Sequence, residues 1–419
     1  MGFDYNRGIR DESSNLIKDA SLNTSAHDLP DLTPQAQAHT ETLQQRIQSR
    51  IEQSETQTIS FCDYMQQALY APEFGYYQAT VPKIGAEGDF VTAPSMTQLF
   101  GETWAQVFNE ILTNLPEHAG IIEFGAGHGQ FAKDCLIALA RQNRHPAFYY
   151  IIELSPALIQ RQKQYLQQHL PDELMGRITW LNQLPTKQVD AIVFANEVLD
   201  AMPVERFEVQ SNEKWQRLGV QLKDNAFNWA NHPSNEIFQQ HMSALQADGV
   251  VLSEGQRFEF NPWIDGWLSA IDECLNSGVI LLCDYGYHRQ LYYQSDRYDG
   301  TLQCYYQHRV HSDPFIYVGL QDITAHVDFT HVAQAADHCG WVLDGYTTQG
   351  SFLQAAGISQ LYAQHCAHWD TAKQISQAQQ VKQLTLGTDL AENFKVIGFS
   401  KGYESHITAF EWTDSSYLL

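Results

Sequence analysis

The sequence lacks long apolar runs, paired cysteines and clusters of basic residues. No stretch of its 419 residues is apolar enough to span a bilayer, so a membrane-spanning protein is not expected. Its seven cysteines are scattered and include no CxxC pair, which argues against a disulfide scaffold and a thiolate zinc site. The 25 basic residues face 49 acidic ones, for a net charge of −24. Nucleic acid and anionic membranes are therefore poor partners, because both are normally bound through lysine and arginine.

The N-terminal residues also lack the marks of a targeting segment. "MGFDYNRGIRDESSNLIKD" mixes acids with bases and contains no apolar h-region, so neither a secretory signal nor a transit peptide is indicated. We therefore expect a cytoplasmic protein of bacterial type. Residues 1–40 are polar with little periodicity, and we interpret them as a poorly ordered or docked N-terminal arm.

Beyond the arm, residues 41–117 are interpreted as a region of helices and loops. Leu43, Ile47 and Ile51 recur as on one helix face, and Ser60 with Asp63 matches a capping box that would begin a second helix. From residue 118, short strand-like runs alternate with helical stretches, which is typical of a largely parallel sheet covered by helices on both faces. The sequence predicts an α/β fold with a Rossmann-like, doubly wound sheet.

The predicted sheet is interrupted by an insertion. Residues 118–203 form its first part and residues 277–403 the remainder, followed by a C-terminal tail at 404–419. Between the two parts, residues 204–276 contain three short alternating segments and two helices, which predict an inserted subdomain with a β-meander on the substrate side. Residues 286–323 are rich in loops and form a candidate lid.

A glycine-rich turn follows the first predicted core strand. Gly125, Gly127 and Gly129 stand between the strand "IIEF" and a predicted helix, where a parallel sheet binds its ligand. A GxGxxG dinucleotide site would need glycine where Gln130 stands, and there is no P-loop lysine. Glu123, two residues before the first glycine, is unfavourable beside a pyrophosphate. A nucleoside that carries no phosphates but has a cationic part fits this turn better.

Polar residues also end the next two predicted core strands. Glu153 ends "FYYIIE", where a carboxylate can accept hydrogen bonds from both hydroxyls of a ribose. Asn196, Glu197 and Asp200 follow the strand "VDAIVFA". Three adjacent strands thus carry polar residues at one edge of the sheet. Taken singly, Glu153 as an exposed acid and Asp200 as a helix cap are alternative interpretations.

At this point the sequence resembles a known family. The blocks "EFGAGHG", "IELS" and "ANEVLDAMPVERF" resemble the S-adenosylmethionine-dependent class I methyltransferases, specifically the MidA/NDUFAF7 family. "YMQQALYAPEFGYY", "GDFVTAPSMTQLFGE", "CDYGY" and "DITAHVDFT" also look like that family's blocks, in its order. The resemblance implies S-adenosyl-L-methionine as cofactor and S-adenosyl-L-homocysteine as product. It further implies protein arginine methylation, which in the mitochondrial member serves respiratory complex I assembly.

The resemblance implies roles for the cofactor residues. Glu123 and the three glycines would form the cofactor loop, and Glu153 would hold the ribose. Asp89, Phe90 and Thr92 in "GDFVTAP" look like a block that closes over the cofactor from the N-terminal side. Taken alone, "GDF" could be a turn before a strand.

The predicted catalytic residues are Glu197, Asp200 and Asn196. If the acceptor is arginine, two carboxylates are needed to hold the planar guanidinium through paired hydrogen bonds. Glu197 would be one of them, and Asp200 or Glu205 the other. The choice stays open because the sequence departs from the usual arginine methyltransferase pattern of two glutamates in one hairpin loop.

Two further residues are predicted on the substrate side. Asp284 ends the next predicted strand and is interpreted as substrate-binding, with turn or capping duty as its alternative. His308 is predicted to shape the substrate side or the lid. It lies near His311, His326 and His331, but the spacing matches no zinc signature and methyl transfer to nitrogen needs no metal, so no metal site is expected.

Several functions are compatible with these residues. A methyltransferase acting on a protein side chain, with arginine favoured, leads. A small-molecule methyltransferase and a non-catalytic assembly factor that binds the cofactor and a partner are the alternatives, and a nicotinamide-dependent oxidoreductase is more distant. A homodimer is compatible with the sequence, which identifies neither the acceptor nor the oligomeric state.

Overall fold

A computed structural model describes residues 29–79, 92–211, 214–387 and 389–419. Its N-terminal region contains the elements α1 (Pro34–Gln53), β1 (Ile59–Ser60), α2 (Phe61–Tyr70), α3 (Ala93–Met96) and α4 (Gln98–Asn114). Ser60 caps α2 as predicted, because its Oγ accepts a hydrogen bond from the Asp63 amide at 3.0 Å. Helix α1 begins inside the predicted arm, and Thr40 donates to the carbonyl of Val318 at 2.7 Å. The described part of the arm is therefore docked.

The first part of the core alternates strands with helices. Its elements are β2 (Gly120–Phe124), α5 (Gln130–Arg141), β3 (Tyr149–Ile152), α6 (Pro156–His169), α7 (Asp172–Met175), β4 (Ile178–Leu181) and β5 (Val189–Asn196). The insertion follows with β6 (Glu205–Gln210), β7 (Lys214–Lys223), β8 (Ala226–Asn231), α8 (Glu236–Ala247), β9 (Arg257–Phe260) and α9 (Ile264–Cys274).

The remainder of the chain completes the core and adds short elements. In order these are β10 (Leu275–Tyr287), α10 (Arg289–Tyr292), β11 (Gln303–Tyr306), β12 (Arg309–His311), β13 (Asp322–Thr324), β14 (Val327–Asp328), α11 (Phe329–His338), β15 (Val342–Thr348), α12 (Gln349–Ala355), α13 (Ile358–Cys366), α14 (Thr371–Thr385), α15 (Asp389–Glu392) and β16 (Phe394–Lys401). Two turns of 3-10 helix, Thr408–Phe410 and Ser416–Leu418, follow.

The central sheet has the strand order β15-β16-β10-β5-β2-β3-β4. The five strands from β10 to β4 pair in parallel, and β16 runs antiparallel to both of its neighbours. Ile121 packs among residues of α4 and α5, whereas the next residue, Ile122, packs among residues of α9 and α11. Apolar residues on both faces are the pattern of a sheet covered on both sides, so the doubly wound prediction is confirmed. The strand order reverses at β2, which places the ligand crevice between β2 and β5.

The predicted β-meander is present and recruits two further strands. Strands β6, β7 and β8 pair antiparallel in sequence order. Strand β9 pairs with β6, and β1 from the N-terminal region pairs with β7. The insertion therefore shares one sheet with the N-terminal region.

The candidate lid has more regular structure than the sequence suggested. It contains α10 and a small antiparallel sheet of order β12-β11-β13. These strands are three or four residues long, which is too short for a periodic pattern to be recognised.

Helices long and apolar enough to cross a membrane are absent from the part of the chain that the structure describes. All seven cysteines are free thiols, and five of them are buried.

Candidate functional site

A cavity of about 1910 Å³ opens at the carboxyl ends of the core strands. This is larger than the usual pocket for one small ligand, so a nucleoside and part of a second molecule can be held together. The predicted residues that line it are Thr92, Glu123, Gly125, Gly127, Glu153, Asn196, Glu197, Asp200 and His308. Asp89 and Phe90 lie outside the described residues, so their predicted role stays a prediction.

The glycine turn has a backbone conformation that other residues rarely adopt. The φ angles of Gly125, Gly127 and Gly129 are 62°, 52° and 84°. A Cβ on Gly125 would lie 3.0 Å from Cγ2 of Val198, and one on Gly129 would lie 3.2 Å from Cγ of Leu166. Gly125 and Gly127 thus bring bare backbone to the cavity. Gly129 is not part of the lining and instead lets α5 start close against α6.

The two predicted cofactor acids are buried and held in place. The hydroxyl of Tyr149 donates to Glu123 Oε2 at 2.7 Å. Burial raises the pKa of Glu123 to about 8, and the charge of Glu153 adds to this. Glu153 accepts from the Ser155 amide at 2.9 Å and from Nε2 of Gln162 at 3.0 Å, and burial raises its pKa as well. A ligand with a positive charge and hydroxyl donors would relieve both costs of burial.

The chain makes a strained turn directly after β5. Glu197 has a φ of 54°, a conformation that is uncommon outside glycine and tends to occur at functional sites. Its amide donates to the carbonyl of Cys283 at 3.0 Å, and Asn196 Nδ2 donates to its Oε1 at 2.9 Å. Burial, with repulsion from Asp200, raises the pKa of Glu197 to about 8. No helix begins after this turn, so Asp200 is not a helix cap.

Asp284 supports this turn from inside the protein core. The structure does not place it at the cavity, as the predicted contact with substrate would require. The residue is fully buried and does not line the cavity. Its Oδ2 accepts hydrogen bonds from the amides of Val198, Leu199 and Asp200 at 3.1, 2.9 and 3.3 Å. The turn duty that the sequence left as an alternative is therefore its role.

The structure also separates the two candidates for the second carboxylate. Both oxygens of Glu205 accept from Arg217, with Nε at 2.9 Å from Oε2, and neither residue lines the cavity. Glu205 is thus occupied in a buried ion pair. Asp200 does line the cavity, and burial raises its pKa to about 6 against the lowering effect of the Tyr285 hydroxyl. Asp200 is the carboxylate that can act with Glu197.

A group of tyrosines and a further acid, Asp322, also line the cavity, and the sequence analysis assigned a role to none of them. Tyr70 and Tyr77 stack with ring centroids 5.4 Å apart, and the Tyr77 hydroxyl donates to both oxygens of Asp322 at 2.9 and 3.0 Å. Tyr285 and Tyr305 complete the group. All of them except Tyr305 fall within or beside the blocks "PEFGYY", "CDYGY" and "DITAH", but nothing in their spacing shows that these segments meet.

The histidines do not form a metal site within the described residues. His308 lies at the cavity in the β11–β12 turn, with a φ of 61°. His331 Nε2 instead contacts Oδ2 of Asp265 at 2.9 Å. No group of three histidine, cysteine or acidic side chains suited to a metal ion occurs in the part of the chain that the structure describes.

Comparison with known proteins identifies the family to which this site belongs. The sequence profile of an S-adenosyl-L-methionine-dependent methyltransferase family, Methyltransf_28, matches residues 100–347. The chain belongs to this family. A crystal structure of a COG1565 superfamily member from Burkholderia thailandensis, bound to S-adenosyl-homocysteine, is 36% identical with a TM-score of 0.86, and the match covers 93% of this chain and all of that one.

Two animal relatives carry more specific names. The Drosophila melanogaster "Protein arginine methyltransferase NDUFAF7 homolog, mitochondrial" is 27% identical over 354 residues, which is 78% of this chain and 77% of that protein. The Caenorhabditis elegans protein of the same name is 29% identical over 328 residues, 72% of this chain and 73% of that protein. Because both names say mitochondrial, the cytoplasmic location of this methyltransferase stays a prediction.

The lining fits the cofactor of the family. Bare backbone at Gly125 and Gly127 leaves room for a ligand, and the cavity has little basic character, since Lys382 is the only lysine or arginine among the described lining residues. A phosphate would find few partners here, whereas a cationic sulfonium nucleoside suits the acids. Glu153 and Glu123 both line the cavity, and their roles in holding a ribose and attracting the positive part stay predictions.

Glu153→Ala is expected to weaken binding of S-adenosyl-L-homocysteine by about tenfold to a hundredfold, because two charge-assisted hydrogen bonds are lost. Calorimetric titration of the two proteins measures the change. Glu208→Gln, an acid on β6 outside the cavity, is the control and should bind as the unaltered protein does. Unchanged affinity in a folded Glu153→Ala protein would remove Glu153 from the cofactor site.

Proposed function

We propose that this methyltransferase acts on the side chain of an arginine residue in a protein. The observation that carries the proposal is that two carboxylates, the half-buried Glu197 and the buried Asp200, face a cavity in which Lys382 is the only lysine or arginine among the described lining residues. A buried carboxylate is stable in its charged form only with a cationic partner, and here the acceptor would provide it. The names of the animal relatives support arginine as that acceptor.

The acids give the reaction its geometry and receive its proton. When bound, S-adenosylmethionine supplies a methyl group on a positively charged sulfur, which leaves as a neutral thioether once the methyl carbon bonds to nitrogen. Glu197 and Asp200 hold the planar guanidinium by paired hydrogen bonds, which keeps one nitrogen aligned for attack. The attacking nitrogen must lose a proton, and a carboxylate whose pKa lies near 8 in the empty site is a suitable acceptor.

Transfer of labelled methyl groups to short peptides tests the proposal. We expect a peptide with one central arginine to be labelled at least about tenfold faster than the same peptide with lysine, because the paired carboxylates match the guanidinium fork. Amino-acid analysis of the product should place the label on the guanidinium. Preference for lysine would contradict the proposal. Binding of S-adenosyl-L-homocysteine with no transfer to any peptide or to protein extract would favour a non-catalytic assembly factor.

A further inference from the structure

The part of the cavity around Glu197 and Asp200, where the methyl acceptor would bind, is called the acceptor end. Three buried oxygen atoms there have no hydrogen-bond partner among the described residues. They are Oδ1 of Asn196, Oδ1 of Asp200 and Oγ1 of Thr324. Asp200 is 4% exposed and Thr324 is 3% exposed. Buried polar atoms are nearly always paired in native proteins, with protein, water or ligand, so these three are available to accept hydrogen bonds from a ligand that enters the cavity. Asn196 ends β5 and Asp200 lies in the turn after it, but Thr324 belongs to a different part of the chain.

Thr324 lies on a short strand that is hydrogen-bonded to the turn after β5. In β13, Asp322 and Thr324 point to one face and both line the cavity, whereas Ile323 points to the other face and packs in the N-terminal core. The amide of Ala325 donates to the carbonyl of Asp200 at 3.0 Å. This hydrogen bond places the cavity face of β13 beside Asp200.

Asp322 is the charged member of this strand, and its carboxylate is held by a neighbour. It is 2% exposed, and the Tyr77 hydroxyl donates to both of its oxygens. It lines the same cavity as Glu197, and its negative charge contributes to the raised pKa of Glu197. Besides Glu123 and Glu153, the cavity therefore presents acids from the turn after β5 and from the strand β13.

We propose that Asp322 and Thr324 form a second wall of the acceptor site, which selects a guanidinium over an ammonium. The inference rests on the proposed arginine specificity and extends it to residues outside the turn after β5. A guanidinium carries five N–H donors spread over one plane, whereas an ammonium carries three donors on a single atom. A planar group can donate to both walls at once. An ammonium that reaches one wall leaves buried acceptors on the other wall unpaired, which is unfavourable.

Two nearly isosteric variants test the wall. Thr324→Val removes one hydroxyl and Asp322→Asn removes one charge, with little change in volume. The probes are N-acetyl-arginine methylamide and N-acetyl-lysine methylamide, titrated by ligand-observed NMR with S-adenosyl-L-homocysteine present. We expect the unaltered protein to prefer the arginine probe. Each variant should weaken the arginine probe by about tenfold and the lysine probe by much less, so that the preference shrinks.

The matched controls are Thr347→Val and Asp344→Asn, which lie on β15 outside the cavity lining. They should leave the preference unchanged, and affinity for S-adenosyl-L-homocysteine should be the same in all five proteins, which verifies folding. An unaltered protein that prefers arginine, together with wall variants that prefer it equally, overturns the wall and leaves the proposed function standing. An unaltered protein without preference for the arginine probe overturns the proposed function itself, and the wall with it.

Discussion

Glu197→Gln is expected to lower methyl transfer to an arginine peptide by about 10³-fold while S-adenosyl-L-homocysteine still binds. Glutamine fills the same volume, but it neither carries the charge that holds a guanidinium nor accepts a proton. The Glu197 side chain belongs to the strained turn directly after β5 and accepts a hydrogen bond from Asn196. Glu123 and Glu153, the predicted cofactor acids, lie on β2 and after β3, so cofactor affinity should be retained.

The measurement is the rate of labelled methyl transfer across pH, with calorimetry for cofactor affinity. Because the pKa of Glu197 is raised to about 8, its charged form gains as pH rises through that value, and the KM of the unaltered protein for an arginine peptide should fall. The glutamine variant should lose this dependence above pH 7. Glu208→Gln again serves as the control. A folded Glu197→Gln protein that labels its substrate at the normal rate would show that the catalytic assignment is wrong.

Asp284→Ala is expected to lower the free energy of unfolding by about 3 kcal/mol or more, and to impair transfer as well. Alanine removes the oxygen that accepts three amides, two of them in buried hydrogen bonds, and each buried amide left without a partner costs about 1–3 kcal/mol. Those amides belong to the turn that positions Glu197 and Asp200, so loss of activity should accompany loss of stability.

Urea unfolding followed by circular dichroism measures the effect of Asp284→Ala. Asp344→Ala is the comparison, because that carboxylate accepts one side-chain hydrogen bond, from Ser400 at 2.9 Å, and should cost less. A loss below about 1 kcal/mol in Asp284→Ala, within the range of an ordinary single hydrogen bond, would mean that the turn does not depend on this carboxylate.

At the acceptor end of the cavity, the sequence alone predicted candidate residues but not which of them face the cavity. The choice between Asp200 and Glu205 could not be made, because both stand a short distance after Glu197 in the chain. The structure makes the choice through Arg217, which comes from a neighbouring strand of the inserted sheet and occupies Glu205. The sequence could not decide the role of Asp284 for a similar reason. A position at the end of a predicted strand is equally compatible with facing the cavity and with holding a turn.

Local pattern by itself determined the strand and helix alternation and the glycine turn, and it predicted the acids Glu123 and Glu153 and the strand-end residues Asn196 and Glu197 as lining the site. Each of these depends on backbone conformation or on period within a few consecutive residues, and parallel strands bring their carboxyl ends to one edge without further information. Only the tertiary structure decided which carboxylates face the cavity and that Tyr77, Asp322 and Thr324 join them. Those contacts join segments up to 245 residues apart, and they form because the N-terminal helices and β13 pack over the same crevice.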